Sequence, residues 1–222
     1  MSSTIRQTRR SATGEIRRPR IRPNLCATLS VALLAFAAPT AAQACKVSTA
    51  GESQPFAGRG DTSQYVLMPD TTFDTGTSGW SVKHASVTAK LPSLAFNSST
   101  DANALQISPG GSATSPPVCI SSATPTFRFF SLGTSELTRL NVQLLWNDGF
   151  GVPHVTRVGS VSGGGSWQAS SALPLGTALP LRRPGSTLSI RIRFQPVGTS
   201  PWAIDKIYID PYSKGAKRQL VS

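Results

Sequence analysis

From Leu188 to Phe194, apolar and polar side chains alternate without a break. Leu188, Ile190, Ile192 and Phe194 take one parity; Ser189, Arg191 and Arg193 take the other. A period of two fits a pleated strand with one face in a core and the other in water, and it fits no helix. The same pattern recurs in Thr126–Phe130, where Phe127 and Phe129 oppose Arg128, and in Leu140–Trp146, where Leu140, Val142, Leu144 and Trp146 share a parity. A last strand is expected from Ala203 to Asp210, with Ile207 and Ile209 on the parity of Asp205. No amphipathic helical run of useful length breaks the series. Strands this short, separated by frequent turn residues, predict an all-β sandwich or barrel.

The turn residues fall where such a fold needs them. Asn147-Asp148-Gly149 predicts a hairpin turn. Pro109-Gly110-Gly111, Ser115-Pro116-Pro117, Gly163-Gly164-Gly165 and Pro184-Gly185 predict loops. Residues 46–64 read as irregular. No fixed-period repeat and no second domain is visible.

The first 45 residues carry an address. Leu25 opens an apolar run of about 14 residues that closes on small residues before Cys45, the pattern of a secretory signal. That run is too short for a hydrocarbon core, which needs about 20 residues. Seven arginines and the single acid Glu15 precede it. The Arg-Arg pairs are not followed by the apolar residues that twin-arginine export requires. Ala42-Gln43-Ala44 is the expected cut. The organisation expected is therefore a signal with a long basic lead over 1–44, a β-sandwich over 45–212, and a disordered basic tail over 213–222, with the domain secreted or held at the cell surface.

The charge balance follows from that division. The 222-residue chain is formally +12. From Cys45 onward fifteen cations face nine acids, or +6, and Lys214, Lys217 and Arg218 of the tail account for half of that. A nucleic-acid partner inferred from the total charge would rest on the discarded leader. Of three cysteines, Cys26 lies in the leader, leaving Cys45 and Cys119 as an even pair in an oxidising compartment. Two readings of Cys45 stand: a disulfide with Cys119, or lipidation at a new N-terminus, where Ala42 occupies the position a lipobox gives to Leu.

Phe73-Asp74-Thr75-Gly76-Thr77-Ser78-Gly79-Trp80 resembles the opening motif of jelly-roll carbohydrate-binding modules and galactose-binding-like domains. Ile204-Asp205-Lys206-Ile207-Tyr208-Ile209-Asp210 resembles their closing strand. Nearly the whole chain after Cys45 also resembles a group of exported actinobacterial proteins of unassigned function, through Pro55-Phe56, Gly60-Asp61, Tyr65–Leu67, Ser115–Cys119, Phe127–Phe130 and Trp202–Tyr212. The resemblance implies an antiparallel β-sandwich of jelly-roll type with its opening and closing strands adjacent. It also implies a structural calcium held by Asp74 and Asp205. Lys206 departs from the motif, replacing the usual second acid with a cation.

Candidate binding residues are the outward parities: Arg128, Phe130, Asn141, Gln143, Arg191, Arg193 and Gln195, with Tyr208. If their strands share a sheet, they line one face suited to a glycan or an anionic polymer, since amides and arginines bond hydroxyls and carboxylates and aromatic rings stack on sugars. The alternative is that they are ordinary solvent-facing residues. Trp80, Trp146 and Trp202 are expected in the core; Trp167, after a glycine-rich loop, is the candidate stacking platform. Chemistry has little support. His84 and His154 stand at no metal-ligand spacing, Val161 occupies the centre where a nucleophile elbow needs serine, and no carboxylate pair stands out. The leading expectation is a non-catalytic module binding a glycan or another polar surface polymer. A structural or adhesion protein of the envelope and a small secreted hydrolase remain as alternatives.

Overall fold

The computed structural model describes residues 45–89, 103–176, 178–181 and 185–211. The expected leader over 1–44 and the expected tail lie outside them. The strands, in order, are β1 (Glu52–Ser53), β2 (Tyr65–Leu67), β3 (Ser81–Ala89), β4 (Asn103–Thr114), β5 (Val118–Ser121), β6 (Thr126–Gly133), β7 (Arg139–Asn147), β8 (Pro153–Ser162), β9 (Gln168–Ala169), β10 (Leu173–Pro174), β11 (Thr187–Val197) and β12 (Trp202–Ile209). A single 3-10 turn, Ala57–Arg59, lies between β1 and β2. All pairings are antiparallel.

Two layers emerge from the pairing. In the first, β12 lies beside β6 on one edge and beside β4 and β2 on the other. β9 and β10 extend it beyond β6. In the second, β11 lies beside β7 and then β8 on one edge, and beside β5 and the end of β4 on the other. β3 and β4 run together through both layers, bending where β3 has a bulge at His84 (φ 46°) and β4 carries Pro109-Gly110-Gly111. From β5 onward the chain crosses between layers at β5–β6, β6–β7, β8–β9, β10–β11 and β11–β12, while β7–β8 and β9–β10 stay within one layer, the wrapping of a jelly roll. The layers are stacked face to face. Phe129 of β6 and Phe194 of β11 belong to different layers, yet their rings meet edge to face at 4.9 Å.

The alternating parities fill the space between. Leu105, Ile107, Phe127, Phe129, Trp202 and Ile204 face Leu140, Val142, Leu144, Ile190, Ile192 and Phe194 in one cluster. Gly133 is part of this fit: a Cβ there would lie 2.6 Å from the Trp202 ring. Between β4 and β5 the Pro116-Pro117 pair cannot donate to the ladder that both strands form along β11. Ser115 bridges the gap, its N–H donating to Ile192 O and its hydroxyl accepting from Ile192 N, both at 2.9 Å.

The hairpin turn expected at Asn147-Asp148-Gly149 joins β7 to β8, its loop running over 148–152 with Asp148 Oδ1 accepting from Phe150 N and Val152 N at 2.9 Å. One expectation needs correction. In β12 the parity breaks: Asp205 pairs with Phe130 and Tyr208 with Arg128, so one extra residue bulges between them. Lys206 takes φ 45° there. Ile207 and Ile209 therefore point into the core while Asp205 and Tyr208 face the other side. Thr71, fully buried, holds the bulge: its carbonyl accepts from Lys206 N and its hydroxyl from Ile207 N.

The irregular N-terminal segment is anchored. Cys45 is bonded to Cys119 of β5, with Cα atoms 5.5 Å apart across a separation of 74 residues. A bonded Cys45 has no thiol left to acylate. Farther on, the 3-10 turn seats Phe56 on the outer face of the first layer, among Tyr65, Ala104, Phe130, Trp167 and Tyr208.

Candidate functional site

The outer face of the second layer brings together most of the candidate residues. One row crosses five strands in register: Ser81, Thr114, Arg193, Gln143 and Arg157. The next holds Gln195, Asn141 and Ser160. Arg191 lies two residues along β11, Arg139 closes the far end of β7, and Lys83 takes the same parity on β3. Residues two apart on a strand are spaced by about 7 Å, and strands by about 4.8 Å. Arg191, Arg193 and Arg157 thus stand roughly 7–10 Å apart, while at β5 the Cys45–Cys119 bond takes the parity of Ser189 and anchors the N-terminal segment at the edge of the same face.

The electrostatics of this face are one-sided. β3, β4, β5, β7, β8 and β11 contain no Asp or Glu at all. The acids of the described residues sit elsewhere: Glu52, Asp61, Asp70 and Asp74 before β3, Glu136 and Asp148 in loops, Asp205 and Asp210 at β12. Arg157 spends one donor on Asn141 Oδ1 at 2.9 Å and Arg139 one on Ser162 Oγ at 3.2 Å. Arg191 is exposed and Arg193 half-buried; neither has an ion-pair partner among the described residues. Gln143 Oε1 is buried with no donor among the described residues. Guanidinium groups with unspent donors, interleaved with amides and hydroxyls, match carboxylates and hydroxyls in repetition.

Arg128, Phe130 and Tyr208 do not belong to this face. Their strands lie in the first layer, so the expected single face divides. Phe130 and Tyr208 are buried under Phe56. Arg128 stacks over the Phe56 ring at 4.1 Å, donates from Nη1 to Asp61 Oδ2 at 2.8 Å, and donates from Nε to Ser170 O. Tyr65 OH donates to the same carboxylate oxygen at 2.7 Å. Burial pushes the Asp61 carboxyl up, but bonds from Tyr65, Ser63 and Arg128 outweigh it and bring it down to about 2. Burial and the Asp61 charge hold the Tyr65 phenol well above its usual range. These residues form a clamp, not an open binding surface.

Trp167 is also corrected. It is buried (6% exposed) in the Phe56 cluster rather than held out as a platform. Trp80 and Trp202 are buried as expected; Trp146 is half-buried and stacks on His154 with ring centroids 4.2 Å apart. His154 Nε2 lies 3.0 Å from Asp148 Oδ2, a contact that lowers the Asp148 carboxyl.

Asp74 and Asp205 stand in different settings. Asp74 is exposed and accepts from Asn103 Nδ2 at 3.4 Å, whereas Asp205 is fully buried in β12. Among the described residues no three of His, Cys, Asp and Glu converge, while calcium takes six to eight oxygens.

No family model and no curated protein matches the chain. Among solved structures, it is similar to the carbohydrate-binding module TmCBM61 in complex with β-1,4-galactotriose, at 16% identity over 64% of this chain and 95% of that one, TM-score 0.40. It is similar to the CBM22-1 xylan-binding domain of Paenibacillus barcinonensis Xyn10C, at 15% identity over 64% and 91%, TM-score 0.44. A third likeness is to the CBM22-1–GH10 modules of Clostridium thermocellum xylanase 10B with xylohexaose, at 14% identity over 68% of this chain and 28% of that one, TM-score 0.47. Likeness at these levels transfers neither a ligand nor a site residue; the sandwich rests on the strand pairing above. No helix of the described residues is long and apolar enough to cross a membrane.

Proposed function

We propose that this protein is an exported, non-catalytic β-sandwich module that binds an acidic polysaccharide along the outer face of β8, β7 and β11. The observation that carries this reading is the exclusion of acids from all the strands of the second layer while Lys83, Arg139, Arg157, Arg191 and Arg193 share its outer face. Regular strand spacing offers cations to a chain of repeating anions, and the amides between them suit hydroxyls. The signal-like leader supports an extracellular partner.

The test is retention on immobilised polygalacturonate, with neutral xylan as the control matrix. The parent protein is expected to be retained saturably on the acidic matrix, and the Arg191→Ala/Arg193→Ala variant to elute in the void. Equal retention of parent and variant, or no saturable retention of the parent, overturns the reading.

A second reading has its own observation. Phe150, 95% exposed at the β7–β8 tip, lies near exposed Val152 and Val155, an apolar tip suited to protein contact. An envelope adhesion protein would lose a copurifying partner on Phe150→Ser and show no polysaccharide retention.

A further inference from the structure

The opposite face of the molecule holds a cleft of about 200 Å³. Its cause is sequence. Ala104 of β4 and Ala203 of β12 put only methyl groups on the outer surface of the first layer, between longer neighbours. Register places Gln106 on one side of Ala203 and Leu132 on the other, with Thr88 opposite Ala104. Trp167, just ahead of β9, packs beyond Leu132, and Thr134 closes one end.

Two indoles, Trp167 and Trp202, with Leu132 and a small apolar floor supply one half of the lining; an amide and two hydroxyls supply the other. The lining is uncharged among the described residues. That excludes the ligands suited to the basic face and favours a neutral, amphipathic one. The volume falls below the roughly 300 Å³ at which drug-sized pockets begin, so the space suits a single ring. The indole N–H of Trp167 is buried with no acceptor among the described residues, although a buried donor ordinarily has one.

We propose that this cleft binds one neutral glycosyl unit, its apolar face on Leu132, Ala203 and the narrow exposed edge of Trp167 and its hydroxyls on Gln106, Thr88 and Thr134. The site is separate from the basic face and does not depend on it. A polymer carrying both acidic and neutral units would engage the two faces through different parts of its chain.

Saturation-transfer NMR and titration with the methyl glycosides of glucose, galactose, xylose and arabinose test this on the whole protein. At least one glycoside is expected to bind saturably to the parent and equally to Arg191→Ala/Arg193→Ala. Gln106→Ala is expected to weaken it about tenfold, the loss of one or two hydrogen bonds. Thr134→Val provides a second, nearly isosteric variant should Gln106→Ala fail to fold, with the same direction expected. Absence of saturable binding by all four glycosides overturns the proposal, as does binding that both cleft variants leave unchanged. Loss of polygalacturonate retention in the arginine variant, with glycoside binding intact, would show the two sites failing or holding independently.

Discussion

Arg128 Nη1 donates to Asp61 Oδ2 at 2.8 Å, joining the outer face of β6 to a segment 67 residues earlier in the chain. The contact holds Phe56 against Phe130 and Tyr208, and so covers half of a sheet that alternation alone would leave open. Asp61→Asn removes the charge but keeps the shape. Its expected cost is about 1–2 kcal/mol, the scale of a charge-assisted hydrogen bond that is partly exposed. The carboxyl is lowered from 3.8 to about 2 in the folded protein. A lowered acid stabilises the fold above its unfolded value, and that contribution is lost as pH falls from about 4 toward 2. Limited trypsin cleavage at Arg59 can follow it at neutral pH: faster cleavage of Asp61→Asn than of the parent is expected, and equal rates would remove the clamp.

The basic face predicts a salt dependence. Raising ionic strength from 0.15 M to 1 M shortens the screening length from about 8 Å to about 3 Å, below the spacing of neighbouring arginines. Retention on polygalacturonate is expected to collapse over that range, while glycoside binding in the Trp167 cleft holds. Arg191→Ala/Arg193→Ala should shift stability by no more than about 0.5 kcal/mol per site, as solvent-facing substitutions do. Retention insensitive to salt would detach it from these charges.

How much of this was legible in the chain differs by level. Leu188–Phe194 announced a half-buried strand, and the structure places it at the centre of the second layer. What alternation cannot say is which sheet a strand joins. Arg128 and Arg191 have the same sequence signature, yet one lies under a packed segment and the other faces water. Lys206 departs from the closing motif, but its φ of 45° has no local signal, because the bulge is held by Thr71 from 135 residues away. The absence of Asp and Glu from six strands was plainly written in the sequence. It becomes a surface property only once those strands are known to be neighbours.

The Cys45–Cys119 bond closes a loop of 74 residues. Restricting the unfolded chain over that length is worth roughly 4 kcal/mol in the chain-entropy account. Cys119→Ser, with Cys45→Ser to remove the stray thiol, should lower stability to chemical denaturant by about that much. A drop under roughly 1 kcal/mol would mean that the unfolded chain gains little from being released.

Gly133 sits beneath the Trp202 ring, where an added Cβ would meet three ring carbons within 2.8 Å. Trp202 is fully buried and has no room to retreat. Gly133→Ala should therefore destabilise by about 1–3 kcal/mol through overpacking, although alanine is otherwise favoured over glycine in a strand. A red shift of tryptophan emission would accompany it if the ring is displaced; a neutral effect would show that this part of the core yields.

Thr71 tests the bulge in β12. Its hydroxyl donates to Met68 O at 2.8 Å and accepts from Ile207 N at 3.3 Å, and both bonds are buried. Thr71→Val keeps the shape and removes both, leaving a backbone donor and acceptor without that partner at a cost of about 2 kcal/mol. The effect has a location as well as a size. Ile207 sits in the core and Tyr208 under the Phe56 segment, so a loosened bulge should speed amide exchange in β12 from Lys206 to Ile209 and in β2 beside it, and leave β7 and β8 unchanged. Exchange that rises evenly across both layers would mean that Thr71 contributes to global stability without holding the bulge.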